Sequence, residues 1–155
     1  MKIFLGADHA GFELKEKIKF YLFELGHEVE DFGASFYNEG DDYPDFIRQV
    51  ADAVAKDPEN SRGIVLGGSG QGEAIVANRI SGVRAVVLYT FNEQIVRLSR
   101  EHNNANVLAL GARFLSEDDA KKIVKLWLDT PFSKEERHKR RINKIARLPA
   151  RQDNL

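Results

Sequence analysis

The chain has no cysteine anywhere in its 155 residues. Disulfides, thiolate metal sites and thiol nucleophiles are excluded together, and the composition suits a reducing compartment. There is no excess of one charge either: 23 Lys and Arg stand against 24 Asp and Glu, a formal net charge of −1. That balance supplies no whole-protein field to draw in nucleic acid or a membrane surface, so any anion specificity must come from a local cluster. Long apolar runs are missing as well. From Met1 the chain reaches Asp8 after a very short apolar stretch, whereas a signal peptide needs about 7–15 apolar residues and a membrane span about 20. A soluble, cytoplasmic protein is expected, with neither nucleic acid nor membrane as partner.

What is present is 43% apolar residues in a chain the length of one domain, enough for a real core. Apolar runs alternate with amphipathic stretches. Strands are expected at Lys2–Ala7, His27–Phe32, Gly63–Leu66, Val83–Tyr89 and Val107–Leu110. Between them, helical spacing covers Phe12–Leu25, Pro44–Lys56, Glu73–Arg79, Asn92–Glu101 and Glu117–Leu128. Pro131 breaks the chain before a basic helix over Lys134–Arg147. Alternating strands and helices imply a parallel sheet covered on both faces. The expected fold is a single doubly wound, three-layer α/β/α domain, Rossmann-like, with a five-stranded parallel sheet and a basic C-terminal helix. It spans residues 1–148, with a frayed tail over 149–155.

In such sheets ligands bind beyond the carboxyl ends of the strands, and the residues just after each strand carry the chemistry. Asp8 and His9 follow the first strand; they read either as a capping pair for the next helix or with His9 facing the crevice as a ligand for an anion or hydroxyl. Gly67-Gly68-Ser69-Gly70-Gln71-Gly72 follows the third. Glycines let backbone N–H groups converge on an anion. This spacing is not the dinucleotide fingerprint, and Glu73 stands where a Walker loop would have lysine. Glu73 either complements a helix dipole or is a base beside an oxyanion cradle, with Ser69 at the same mouth. His102 and Asn103 precede the fifth strand and Arg113 follows it. Arg137 and Arg141 share a helix face, as a solvated surface or as a guanidinium clamp for phosphate. His27, at the other end of the sheet, reads as structural.

The ordered set resembles the ribose-5-phosphate isomerase B family, which also contains the galactose-6-phosphate isomerase subunits. The resemblance rests on Gly6-Ala7-Asp8-His9-Ala10-Gly11-Phe12, Asp42-Tyr43-Pro44, Gly63 to Glu73, Arg100-Glu101-His102-Asn103, Asn106 to Arg113, and Arg137-His138 with Arg141. Many members place a cysteine base directly after the third strand. Here that position is Gly67, and the chain looks like the branch in which a glutamate, Glu73, does the work.

The resemblance implies an aldose–ketose isomerase acting on ribose 5-phosphate through a cis-enediolate, without metal or cofactor. Glu73, His102, Asp8 and Ser69 would be catalytic: His102, helped by Asp8, would open the furanose ring, and Glu73 would move the proton. Gly68, Gly70, Gln71 and Gly72 would line the substrate, and His9, Arg113, Arg137 and Arg141 would hold its phosphate. The site would be shared between subunits of a homodimer or dimer of dimers, with Tyr43, His102, Asn103 and Arg113 facing the partner's Asp8–Glu73 side. Thr90–Leu98 matches no ribose-enzyme pattern, which leaves allose or galactose 6-phosphate as alternative substrates. A silent sugar-phosphate sensor would not need Glu73 and His102 together. An RNA-binding basic helix would lack aromatic neighbours for base stacking.

Overall fold

The computed structural model describes residues 1–148; the expected tail, 149–155, lies outside them. Eleven elements alternate in order: β1 (Lys2–Ala7), α1 (Phe12–Glu24), β2 (Glu28–Asp31), α2 (Tyr43–Lys56), β3 (Ser61–Gly67), α3 (Gln71–Ala77), β4 (Ala85–Leu88), α4 (Glu93–Glu101), β5 (Val107–Gly111), α5 (Glu117–Asp129) and α6 (Glu136–Ala146). All strand pairs are parallel, in the order β2-β1-β3-β5-β4. This is the doubly wound arrangement expected. The chain reverses its direction of travel between β1 and β3, and that switch point is where a crevice opens at the carboxyl edge.

Side-chain alternation along the central strands builds two cores. Ile3, Leu5, Ile64, Leu66, Leu108 and Leu110 face α1 and α5, whose Ile18, Leu22, Ile123 and Trp127 are fully buried against them. Phe4, Val65, Val107 and Ala109 face the opposite way, onto Ile47, Val50 and Val54 of α2 and Ala74 and Ala77 of α3. Burial on both faces explains why these strands read as continuous apolar runs. The α6 helix contributes a single buried residue, His138.

Several boundaries differ from expectation for local reasons. The β4 strand begins at Ala85, not Val83, because the Asn106 side chain takes the Arg84 N–H at 2.8 Å and donates to the Gly82 carbonyl at 2.9 Å. Those bonds replace the ladder. The α3 helix starts two residues before Glu73, because Gly70 caps it with φ at 77°, a conformation that costs glycine nothing. The α6 helix starts at Glu136; Lys134 has φ at 59° and cannot be part of it.

Candidate active site

The loops after β1, β3 and β5 meet at the carboxyl edge. Ala112 N–H donates to the Gly67 carbonyl at 2.8 Å and Arg113 N–H to that of Gly68 at 3.1 Å, which ties the glycine loop to the end of β5. Asp8, 7% exposed, accepts from the amides of Ala10 at 3.0 Å and Gly11 at 3.3 Å through Oδ1. It therefore closes the turn that leads to α1 but does not cap the helix, whose N-cap is Gly11 with no side-chain hydrogen bond. Its other oxygen lies 3.9 Å from His9 Nδ1 and stays on the crevice side of that role.

Glu73 is the third residue of α3 and is 4% exposed. Its carboxylate lies back over the end of β3: a Cβ built on Gly67 would fall 1.8 Å from Glu73 Oε1 and 2.2 Å from Cδ. The missing side chain at position 67 is the space that the carboxylate fills. A side chain there would displace the Glu73 carboxylate from this seat. Burial pushes the Glu73 carboxyl above the usual range, the negative charge of Asp8 adds to the rise, and its own backbone amide opposes it. The result is a carboxylate more basic than one in water. Beside it, the amides of Gly70 and Gly72 find no protein acceptor among the described residues, and Ser69 Oγ accepts from Gln71 N–H at 3.3 Å.

His9 is held from a segment that sequence reasoning treated as plain loop. Asp41 Oδ1 accepts the His9 amide at 3.0 Å and lies 2.7 Å from ring Nδ1. Tyr37 meets the ring edge-on at 6.1 Å between centroids. Nothing in the sequence marked Asp41; only its neighbours Asp42-Tyr43-Pro44 stood out. Asp8, His9 and Asp41 offer ligand atoms within 4.8 Å of one another. A cation taking His9 through Nδ1 would have to break the Nδ1–Asp41 contact.

His102 and Asn103 lie elsewhere. They follow α4 and precede β5, at the amino edge of the sheet. The five residues of β5 alone put the two edges about 16 Å apart. Buried Arg100 fixes this corner. Its Nε donates to the Thr130 carbonyl at 3.1 Å, and its Nη1 to Asn104 Oδ1 at 3.0 Å and to the Ala105 carbonyl. It forms no ion pair with a carboxylate among the described residues, so burial, with Arg62 and Arg84 nearby, lowers its pKa to about 10 against a smaller rise from Glu59. The His102 ring stacks on that of His138 from α6, at 4.1 Å and 18°. Burial first, then the charges of His102 and Arg137, hold the His138 imidazole below its usual pKa. A cleft of about 580 Å³ opens here, lined by His102, Asn103, His138, Arg141 and Arg84 among others. Arg137 is exposed on α6, with Nε donating to Glu135 at 2.8 Å.

One chain therefore divides the sequence-predicted residues into two groups. Asp8, His9, Ser69, Gln71, Glu73 and the loop glycines gather at the carboxyl edge; His102, Asn103, Arg137 and Arg141 do not reach them. Two placements differ from the expectation drawn from the resemblance. Tyr43 packs on Gly72, where a Cβ would meet its Cζ at 2.6 Å, and Arg113 lies over Gly68, where a Cβ would meet its Nη1 at 3.2 Å. Both belong to the Glu73 half of their own chain, because α2 begins, and β5 ends, at the carboxyl edge.

The profile of the ribose/galactose isomerase family matches residues 3–145. Ribose-5-phosphate isomerase B of Mycobacterium tuberculosis is 46% identical over 146 residues, covering 94% of this chain and 88% of that protein. The Escherichia coli protein of the same name is 41% identical, covering 98% and 99%. Among solved structures, ribose-5-phosphate isomerase B from Mycoplasma genitalium with bound ribulose 5-phosphate superposes with a TM-score of 0.89 at 40% identity, covering 94% of both chains. Fold, motif order and identity over nearly the whole length agree: the chain belongs to the ribose/galactose isomerase family.

Proposed function

We propose that this protein interconverts ribose 5-phosphate and ribulose 5-phosphate, with Glu73 as the base that moves a proton between C2 and C1. The observation that carries the reading is the buried Glu73 carboxylate, seated in the space a side chain at position 67 would need. Relatives named for this reaction match almost end to end, and one of them is seen with ribulose 5-phosphate bound.

In this reading the sugar enters as a furanose. His102 transfers the proton that opens the ring, with Asp8 assisting. Glu73 then removes the C2 proton of the open aldose, and the electron pair moves toward the C1 carbonyl to give a cis-enediolate. The free amides of Gly70 and Gly72, with Ser69 as proton donor and acceptor, stabilise the enediolate oxygens. Glu73 returns its proton to C1, and O2 becomes the ketone. A positioned base supplies about 10²–10⁴-fold in rate, and each oxyanion donor about 2.7–4 kcal/mol. Tyr43 and Gln71 wall the sugar, and Gly68 leaves room for Arg113. The phosphate is gripped by His9 and Arg113 on one side and by Arg137 and Arg141 on the other.

These groups lie on opposite edges of one sheet, so the working site needs two chains. A homodimer, alone or as a dimer of dimers, lets the His102 edge of one protomer close over the Glu73 edge of its partner. Asn103 comes with His102. Among the described residues no helix is long and apolar enough to cross a membrane; action in the cytoplasm belongs to the same proposal, as does the absence of a metal or cofactor from the chemistry. The test is turnover of ribose 5-phosphate in EDTA by the parent protein and by Glu73→Gln. Activity in the parent and a loss of at least about a hundredfold in the variant are expected. An inactive parent overturns the pentose assignment; an active variant overturns the base.

A further inference from the structure

The geometry points to Asp41 as the positioning residue that makes His9 a phosphate ligand, by holding its imidazole through Nδ1 so that Nε2 carries a proton toward the anion. The inference rests on the reading above, in which His9 meets the sugar's phosphate. It adds a residue from the loop between β2 and α2 that neither the motif pattern nor that mechanism uses.

One oxygen, Asp41 Oδ1, takes both the backbone amide of His9, at 3.0 Å, and ring Nδ1, at 2.7 Å. The two bonds fix the rotation of the side chain as well as its tautomer. With Nδ1–H donated to Asp41, a neutral ring would present a bare lone pair at Nε2, and a phosphate dianion offers only acceptors. The ring suits an anion in one state only, the imidazolium. Nε2 has no protein partner among the described residues. The Asp41 side chain is only 8% exposed, and its second oxygen is buried without a partner. Such a buried carboxylate strongly favours a cation beside it.

The other groups facing His9 come from three elements. Asp8, after β1, adds negative charge; Arg113, after β5, opposes it; Tyr37 lies edge-on from the same loop as Asp41. Together they raise the imidazole above its usual 6.5, with the Asp41 hydrogen bond as the largest cause. A group whose pKa is raised on folding stays charged to higher pH, so Asp41 extends anion binding upward in pH. Below about pH 5 the ring is charged with or without it.

The experiment uses inorganic phosphate as the probe, which separates this inference from turnover. First, the His9 ring of the parent protein is titrated by NMR; a midpoint above 6.5 is expected, and one at or below it overturns the proposal. Second, phosphate affinity is measured for the parent and for Asp41→Asn, whose amide oxygen can still accept the His9 backbone N–H. At about pH 8 the variant should bind roughly tenfold more weakly, the size of one charged hydrogen bond to the anion. At about pH 5 the two should be equal. Phosphate titrates identically in both samples, so the ratio isolates His9. A ratio that does not change with pH overturns the proposal, because a merely structural role for Asp41 would weaken binding equally at both. Normal phosphate ratios in a protein that fails to isomerise sugar phosphates would overturn the assigned reaction and leave this inference standing.

Discussion

Replacing Gly67 by alanine should abolish most activity while leaving the fold intact, a combination that few single methyl groups can produce. The new Cβ would lie 1.8 Å from Glu73 Oε1 and 2.6 Å from Oε2, whereas non-bonded carbon and oxygen need more than 3 Å. Glu73 is the flexible partner, and it must retreat by about 1 Å or more. A displacement of that size at a reacting group costs about 10²-fold. Stability should barely move. Gly67 ends a strand without positive φ, so alanine is allowed there, and Gly→Ala at a compatible position gains about 0.4–1 kcal/mol from the unfolded chain. The methyl group occupies space the carboxylate vacates, so no void forms.

The assay is kcat/KM for ribose 5-phosphate beside a thermal melt. A hundredfold loss at an unchanged melting temperature is expected. Activity within threefold of the parent would show that Glu73 does not act from the seat it occupies here, and the mechanism built on it would fall. Gly67→Cys gives an internal control. It displaces Glu73 in the same way but supplies a thiol at the position where, by the family resemblance, other members carry their base. It should be more active than the alanine variant. It should also be inactivated by iodoacetamide, to which the cysteine-free parent is immune at this site.

Four other outcomes follow from the same geometry. Because burial raises the Glu73 pKa, stability from this residue is present at low pH, where it is protonated, and is lost as pH rises through the raised value; Glu73→Gln should therefore melt higher than the parent at neutral pH, by about 2–4 °C per kcal/mol regained, while being inactive. The profile of kcat/KM in the parent should rise with pH through a midpoint above 4.5, read from initial rates. If the site is shared, mixing inactive Glu73→Gln with inactive His102→Asn after subunit exchange should restore about one quarter of parental activity, since half the dimers are hybrid with one intact site each; no recovery after verified exchange would place both residues in one protomer's site. Arg100→Met should cost about 2–4 kcal/mol, measured by urea denaturation, because the carbonyls of Thr130 and Ala105 lose their donor inside the protein.

What the sequence discloses here is set by range. The central strands read cleanly because they are buried on both faces, and their apolar runs need no partner to be recognised: Ile64-Val65-Leu66 and Val107-Leu108-Ala109-Leu110 are fully buried in consecutive positions. The doubly wound topology follows from their alternation with helices, and it directs attention to Asp8, Gly67 and Arg113. The boundaries that moved are those decided by side chains distant in sequence, as when Asn106 takes over the hydrogen bonds of Gly82 and Arg84. Asp41 was hidden for the same reason. It sits 32 residues from His9, in a polar loop where an aspartate is the expected residue, and only folding makes it the carboxylate that grips the ring.

Gly67 and Glu73 are the opposite case. Each is odd alone: a glycine where relatives of the other branch place their base, and an acid where a phosphate loop would place a lysine. The sequence presents these as two departures, and the fold makes them one, since the carboxylate stands in the volume the side chain gave up. In the proposed mechanism the base comes from the helix turn after β3, where the family resemblance implies that other members bring it from the strand end, and only one of the two can occupy this seat. A chain with both side chains must push the Glu73 carboxylate out of this seat, and a chain with neither would have no group there to take the proton.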